Sequence, residues 1–342
     1  MPALTPTFVT NLETRMSIIT EREYERLRAN LWWNKVVKTR PSTGLRDIIT
    51  WLLSTAQIRS QDSGGNIAFD DLVAQYTTIE NKFAGAGLKL QRRQLEDTDG
   101  GGIELSAAWS ADIGAYMAYW PQKETAYALK NGHDATKFRT YDTKAFFATD
   151  HPYNPFRPAA GTFTNLFTAA AGPGPVPIDD AVTADVALVN LAKAVAYIAS
   201  IRMPNGDDPR FLRPAFILAN PRMMPRVVQL TSAKFLAQAA TGGAAASDVE
   251  MLIKSLGFAT PVQVDELAGF ESDRTWFIVA EQLASAQLGG LIYTEREAFK
   301  INYYGTVDDA VLGRAQELEW QCIGRNVISA GHPYLIFKCK AV

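Results

Sequence analysis

The sequence is poor in the residues from which most active sites and metal centres are built: 342 residues carry three histidines and two cysteines. His133, His151 and His332 are spaced too widely for a short ligand pattern, and the acids near them are scattered, so no metal site can be read. Cys322 and Cys339 are too few for a disulfide framework. They fit a reducing compartment and read as small buried apolar groups on either side of a turn. No apolar run reaches about 18 residues, and the start has no basic segment followed by an apolar one. The expectation is a soluble chain made in the cytosol, with no membrane partner. Catalytic signatures are missing too. There is no G-x-S-x-G, H-E-x-x-H, G-x-x-x-x-G-K-[ST] or paired C-x-x-C. Neither Gly85-Ala86-Gly87 nor Gly172-Pro173-Gly174 sits in the strand–turn–helix context of a dinucleotide fingerprint. No cofactor is expected, and no catalytic, cofactor-binding or metal-ligating residue. The net charge of −2 leaves no global field to draw in nucleic acid or an anionic membrane.

What is present is an ordinary globular composition, 47% hydrophobic and 20% charged, in a chain long enough for one large domain or two medium ones. The first sixty residues differ, with nine Lys or Arg, among them Arg15, Arg22, Arg26 and Arg28, against five acids. Two readings stand: a solvated helical arm, or an arm facing a negative surface such as a partner subunit or packaged polyanion.

The opening residues 1–20 read as an extended arm. Thr20 with Glu23 three residues later forms a capping box, and Tyr24, Leu27 and Leu31 continue a short amphipathic helix that Pro41, Ser42 and Gly44 break. Residues 69–83 and 88–97 look like two strands of a hairpin joined by Ala84-Gly85-Ala86-Gly87. Lys82, Lys89, Arg92 and Arg93 leave that hairpin little private core, and an isolated hairpin is marginal in water. It should lie on its own domain or pack on a neighbouring subunit. Next, Leu105, Trp109, Ile113, Tyr116 and Trp120 recur at helical spacing and predict a long helix whose aromatic stripe is core. Pro121 should kink or restart it, and Gly132 should end it. Residues 159–177, rich in Gly, Pro and Ala, mark the best domain boundary. Beyond it come a helix with Asp179 or Asp180 near its start, a strand–helix unit at residues 213–223, a second helical run, and a Gly/Ala-rich loop tip at residues 242–246. Strands follow at PVQVDEL, RTWFIVAE, FKINYYG, AQELEWQCIG and YLIFKCK. The order is mixed rather than strictly βαβ, which argues for an α+β fold.

The stretch FFATDHPYNP places Asp150 beside His151. Such a pair can serve as a base and its orienting group. Adjacent residues of a strand point to opposite faces, however, and Pro152 biases His151 to extended backbone. Asp150 and His151 therefore read as structural, bonding local backbone where the chain leaves a strand.

Taken in order, several segments resemble one family, the major head subunit of Mu-like phages (the gpT-type major capsid protein). They are Ile79-Glu80-Asn81-Lys82, then Leu88 and Arg92, then Leu95-Glu96-Asp97, and, after the long helix, Tyr141-Asp142 and Phe146-Phe147-Ala148-Thr149-Asp150-His151-Pro152. The resemblance covers about residues 75–155 clearly and the remainder in layout. One departure is Thr143, where the family usually has glycine after Tyr-Asp.

The resemblance implies an HK97-type capsid fold and a non-enzymatic, self-assembling structural protein of an icosahedral head around double-stranded DNA. It implies an N-terminal arm at residues 1–60, an extended hairpin (E-loop) at 61–103, a peripheral P domain with a long spine helix at 104–177, an A domain at 178–310, and C-terminal strands at 311–342 returning to the P domain. The implied partners are copies of itself in hexamers and pentamers, a head protease, a portal protein, a decoration protein, and DNA held non-specifically on the inner face. No long charged helical extension precedes the arm, so the scaffolding protein is expected to be separate. The location is the virion, after assembly in the host cytoplasm. Lys82 or Lys89 with Asn326 would be the candidates for the Lys–Asn cross-links of some such shells. The alternative is an encapsulin-like nanocompartment shell of the same fold. A soluble hydrolase using His151 is the reading from another class, and the missing nucleophile motif argues against it.

Overall fold

The computed structural model describes residues 6–52, 74–91, 101–231, 259–282, 289–304 and 317–340. Arg59, the turn at residues 60–66, Arg92, Arg93, Leu95-Glu96-Asp97 and the loop at residues 242–246 lie outside them.

Two helices form one layer. Helix α1, Pro6–Arg28, begins where the sequence suggested an extended arm. The extended reading fails because Leu12, Met16 and Thr20 recur at four-residue spacing and are all buried. Thr20 is thus an interior position and not a cap, and its hydroxyl donates to the Ser110 carbonyl of the long helix at 3.0 Å. That helix, α2, is Gly101–Asn131 and runs through Pro121 without stopping. Proline removes one i→i−4 bond; burial of Ala118, Ala126, Ala128 and Leu129 on either side of it outweighs the loss. The expected aromatic stripe is divided. Ile113 is buried, whereas Leu105 is 65% exposed and Tyr116 49% exposed. The face that packs combines Ile113 and Met117 with small residues, because α1 crosses close by. A Cβ built on Gly114 would sit 2.4 Å from the Thr20 carbonyl oxygen, so glycine sets the approach of the two helices.

Beneath the helices lies a four-stranded sheet in the order β1–β11–β12–β4, from β1 (Val37–Pro41), β4 (Lys82–Gln91), β11 (Leu291–Tyr304) and β12 (Glu317–Ala330). Along β12 buried residues alternate with partly exposed ones. The Leu318 and Trp320 side chains pack with Leu12 and Met16 of α1, and Cys322 with Ile113 and Met117 of α2.

A second, five-stranded sheet runs β7–β13–β10–β8–β9, from β7 (Leu166–Phe167), β8 (Leu212–Ala219), β9 (Thr260–Gln263), β10 (Thr275–Gln282) and β13 (Ile336–Lys340). Its central strand β10 is apolar on both faces. Trp276, Ile278 and Ala280 join a core with helices α3 (Ala184–Ala199) and α4 (Met224–Thr231). Phe277 and Val279 face Leu129, Phe146 and Phe147 on the other side. A strand buried on both faces reads as a continuous apolar run, as RTWFIVAE does. Thr183, whose hydroxyl accepts from Val186 N, caps α3; Asp179 and Asp180 lie before the cap. Of the two last strands, β12 returns to the sheet under α2, while β13 inserts beside β10.

The expected hairpin is not formed. Residues 82–91 make one continuous strand, β4, paired antiparallel with β12 from Lys82↔Asn326 to Gln91↔Glu317. The Ala84-Gly85-Ala86-Gly87 run, read as a turn, is the middle of that strand. A Cβ on Gly85 would meet the Cys322 carbonyl oxygen at 2.7 Å, so glycine marks a close backbone approach here. The preceding strand β3, Ala74–Glu80, pairs instead with β2, Arg46–Leu52, as a separate two-stranded ribbon.

Candidate functional site

The motif residues scattered over residues 79–152 converge on the root of the β2–β3 ribbon. Ile49, Trp51 and Ile79 from the ribbon bury against Tyr141 and Ile292. The Trp51 ring lies 6.0 Å from that of Tyr141 and 6.3 Å from that of His332. Asn81, between β3 and β4, is the polar tie. Its amide donates to Ser42 Oγ at 2.7 Å, the Gly44 carbonyl at 3.0 Å and Asp47 Oδ2 at 3.1 Å, while its backbone N–H donates to the Leu45 carbonyl. The turn entering β2 is thereby fastened to the chain leaving β3. The other face of the ribbon is open: Ile48 is 55% and Tyr76 68% exposed. A groove of about 1000 Å³ opens beside it, walled by β3, the Glu124 and Tyr127 end of α2, and Val327–Ala330 of β12. Burial pushes the Glu124 carboxyl up from its ordinary value there.

The passage from Tyr141 to Pro152 buttresses this root. His151 is fully buried, and its partner is not Asp150. Its Nδ1 lies 2.7 Å from Asp142 Oδ2, with the two side chains 0% and 1% exposed. Nε2 lies 3.2 Å from the Phe146 carbonyl, so both ring nitrogens face oxygen acceptors. The Asp142 carboxylate also accepts from the Thr140 hydroxyl and from Lys144 N. Burial alone would raise its pKa, but the bonds from His151 and Thr140 outweigh it and hold the carboxyl below the usual carboxylate range. Asp150 points outward and pairs with Lys144. The phenol of Tyr141 donates to the Pro152 carbonyl at 2.8 Å, and Phe163 stacks on the His151 ring at 5.3 Å.

An acid and a histidine do meet, then, as the sequence reading did not foresee. The nine-residue separation of Asp142 from His151 gives no local pattern by which to pair them; the Tyr-Asp motif was the only signal. Chemically the pair is closed. Both ring nitrogens are engaged, and the adjoining Thr140 hydroxyl donates to the Asp142 carboxylate and not to the imidazole.

Other predicted residues fall apart in space or are already engaged. His133 and His332 lie outside this pair, and no group of three His, Cys, Asp or Glu among the described residues could hold a metal. Both cysteines are buried and free, and burial pushes the Cys322 thiol up to about 11. Lys82 and Asn326 are cross-strand partners, yet Asn326 is buried with its Oδ1 accepting from Trp120 Nε1 at 3.0 Å. Lys89 pairs with Glu319 at 2.7 Å. In the basic segment Arg22 and Arg26 both contact Glu23, and Arg46 lies 3.8 Å from Glu80, so part of its excess charge is locally matched.

Comparison with known proteins places this geometry. Residues 11–178 match the family model of the Mu-like prophage major head subunit gpT, well beyond the segment that carried the sequence motifs. The procapsid protein of bacteriophage JBD30 has a similar structure: TM-score 0.52, 16% identity, covering 99% of this chain and 77% of that one. The capsid protein of the cyanophage P-SCSP1u is similar too, with TM-score 0.54 and 11% identity over 90% of this chain and 86% of that one. At those identities the likeness is one of fold. No curated protein sequence matches. No helix among the described residues is long and apolar enough to cross a membrane. Residues 11–178 of this chain thus match the Mu-like phage major head subunit family, and the chain shares the fold of HK97-type phage capsid proteins.

Proposed function

We propose that this chain is the shell subunit of a tailed, Mu-like phage or prophage head, associating into hexamers and pentamers that close around double-stranded DNA. The observation that carries the proposal is the β2–β3 ribbon: fastened on one face by Asn81 and the Trp51–Tyr141 packing, yet open on the other, where Ile48 and Tyr76 are exposed. A two-stranded ribbon of this kind is marginal alone and gains stability by lying on another surface. Contacts of that sort are individually modest, and closed symmetry repeats them over the shell. The family match favours a phage head over an encapsulin-like compartment.

In this reading the ribbon of Arg46–Leu52 and Ala74–Glu80 takes the part of the extended loop that the sequence had assigned to residues 61–103. Helix α2 is the spine helix of a P domain with the four-stranded sheet. The five-stranded sheet with α3 and α4 is the A domain, and α1 is the arm. The pair Asp142–His151 is structural, and the subunit performs no catalysis and needs no cofactor. A separate scaffolding protein, a head protease, a portal and a decoration protein are its further partners, with assembly in the host cytoplasm before incorporation into the virion. The basic face of α1 is the candidate for meeting DNA, which reversal of Arg26 and Arg28 to Glu would expose as a fall in packaged DNA.

The test is sedimentation with negative-stain imaging of the chain produced alone and with the products of its neighbouring genes. Closed shells, or hexamers and pentamers, support the proposal. A stable monomer in both preparations refutes it.

A further inference from the structure

Away from the ribbon, a cleft of about 640 Å³ lies between the start of α4, the turn at residues 179–181 and the loop at residues 271–274. Four acids and four bases line it, but they are not equally engaged. Asp179 Oδ2 lies 3.3 Å from Arg274 Nε. Glu271 accepts from the buried Lys338 ammonium at 2.7 Å and from the Thr275 hydroxyl at 2.5 Å. Asp273 accepts from Gly269 N at 2.6 Å. Three of the bases, Arg222, Arg226 and Lys340, lack such partners. Arg222 makes no ion pair or hydrogen bond among the described residues and is exposed. Lys340, also exposed, lies in the field of Glu271, whose oxygens already take Lys338 and Thr275. Arg226 bonds only neutral acceptors, Gln229 Oε1 and the Val182 carbonyl, each at 2.9 Å. Its Nε is buried and has no hydrogen-bond partner.

The loop wall is strained. Glu271, Ser272 and Asp273 have φ of 46°, 58° and 60°, three consecutive non-glycine residues in the left-handed region. Each costs about 1–3 kcal/mol unless its surroundings over-determine it, and such residues gather at binding sites. Here the bonds to Lys338, Thr275 and Gly269 hold the loop, and Ser272 lines the cleft.

From these observations we infer that the cleft binds a phosphate-type oxyanion, with Arg222, Arg226 and Lys340 as its ligands and Ser272 as an additional donor. The chemistry follows from the donors. A guanidinium presents a planar fork suited to oxyanions and an ammonium a point charge. Donors drawn from a helix start, a strand end and a loop approach from several sides, which suits a tetrahedral anion better than a planar carboxylate. Asp180, which has no partner among the described residues that line the cleft, and the buried, unpartnered Oδ1 of Asp179 limit how much negative charge the site accepts. The phosphate source is either the free ion or the backbone of a nucleic acid.

Calorimetric titration of the full-length subunit with inorganic phosphate, at constant ionic strength in chloride, tests the site. Saturable binding of one phosphate per subunit is expected, weakened about tenfold in R226Q and in the exposed variants R222Q and K340Q, and unchanged in R157Q. A short duplex oligonucleotide that competes with phosphate supports the backbone source. Phosphate binding that the oligonucleotide leaves untouched supports the free ion. Absence of saturable binding, or equal affinity in wild type, R222Q and K340Q, overturns the inference. The titration does not depend on assembly, so its failure leaves the shell proposal standing and a failure to assemble leaves the cleft standing.

Discussion

Replacing Thr143 by glycine should stabilise the subunit. Thr143 has φ of 67°, in the turn between Asp142 and Lys144, and its side chain is exposed. For a residue with a Cβ the left-handed region costs about 1–2 kcal/mol, and β-branching adds to the crowding. Glycine removes that strain but loses about 0.5–1 kcal/mol through the greater freedom of its unfolded chain. The Thr143 N–H to Thr140 carbonyl bond, 3.1 Å, is a backbone bond and survives the change. No buried contact is lost, so Thr143→Gly should gain about 0.5–1 kcal/mol. Urea unfolding of the dissociated subunit would show this as a midpoint raised by about 0.2–0.3 M with an unchanged slope. Thr149→Gly is the control: Thr149 is exposed and does not have positive φ, so glycine there should lower stability by about 0.5–1 kcal/mol. If both variants lose the same amount, residue 143 is not held left-handed and the account of this turn is wrong.

Three other outcomes follow from the packing. His151→Ala would strand the Asp142 carboxylate without its main partner and should cost about 3–5 kcal/mol, read by denaturant unfolding; a loss under about 1 kcal/mol would contradict the buried pair. Gly114→Ala drives a Cβ onto the Thr20 carbonyl oxygen and should cost about 1–3 kcal/mol as α1 is pushed from α2, whereas Ala107→Gly on the same helix should cost about 1 kcal/mol through propensity alone. Burial and the nearby Arg210 lower the His332 pKa to about 3. Since the unfolded chain binds that proton near pH 6.5, stability should be fully present above pH 6.5 and decline as pH falls from there toward 3. The slope is at most about 1.4 kcal/mol per pH unit. His332→Gln should flatten this window, and an unchanged pH profile would show that His332 is not held neutral.

The helix α2 and strands β8, β10, β12 and β13 were legible because each carries its own period. RTWFIVAE could hardly be anything but a strand buried on both faces. The arm was misread because its helical spacing at Leu12, Met16 and Thr20 is sparse and lies among polar residues. The Ala-Gly run failed for a different reason. Glycine serves both turns and close backbone approaches, and only the neighbouring Cys322 carbonyl tells them apart.

The sequence by itself determined the fold class, the long helix and the order of motifs that resemble the family. These are local properties: period, composition and spacing along the chain. Tertiary structure decided which strands pair, that β3 pairs with β2 while β4 joins β12, that Asp142 and not Asp150 meets His151, and that Arg226 lines a cleft while bonding only neutral acceptors. Alternation in a strand specifies a face but not a partner, and a charge specifies a need but not which distant group meets it. Those choices rest on contacts between residues far apart in the chain, which exist only once the chain has folded.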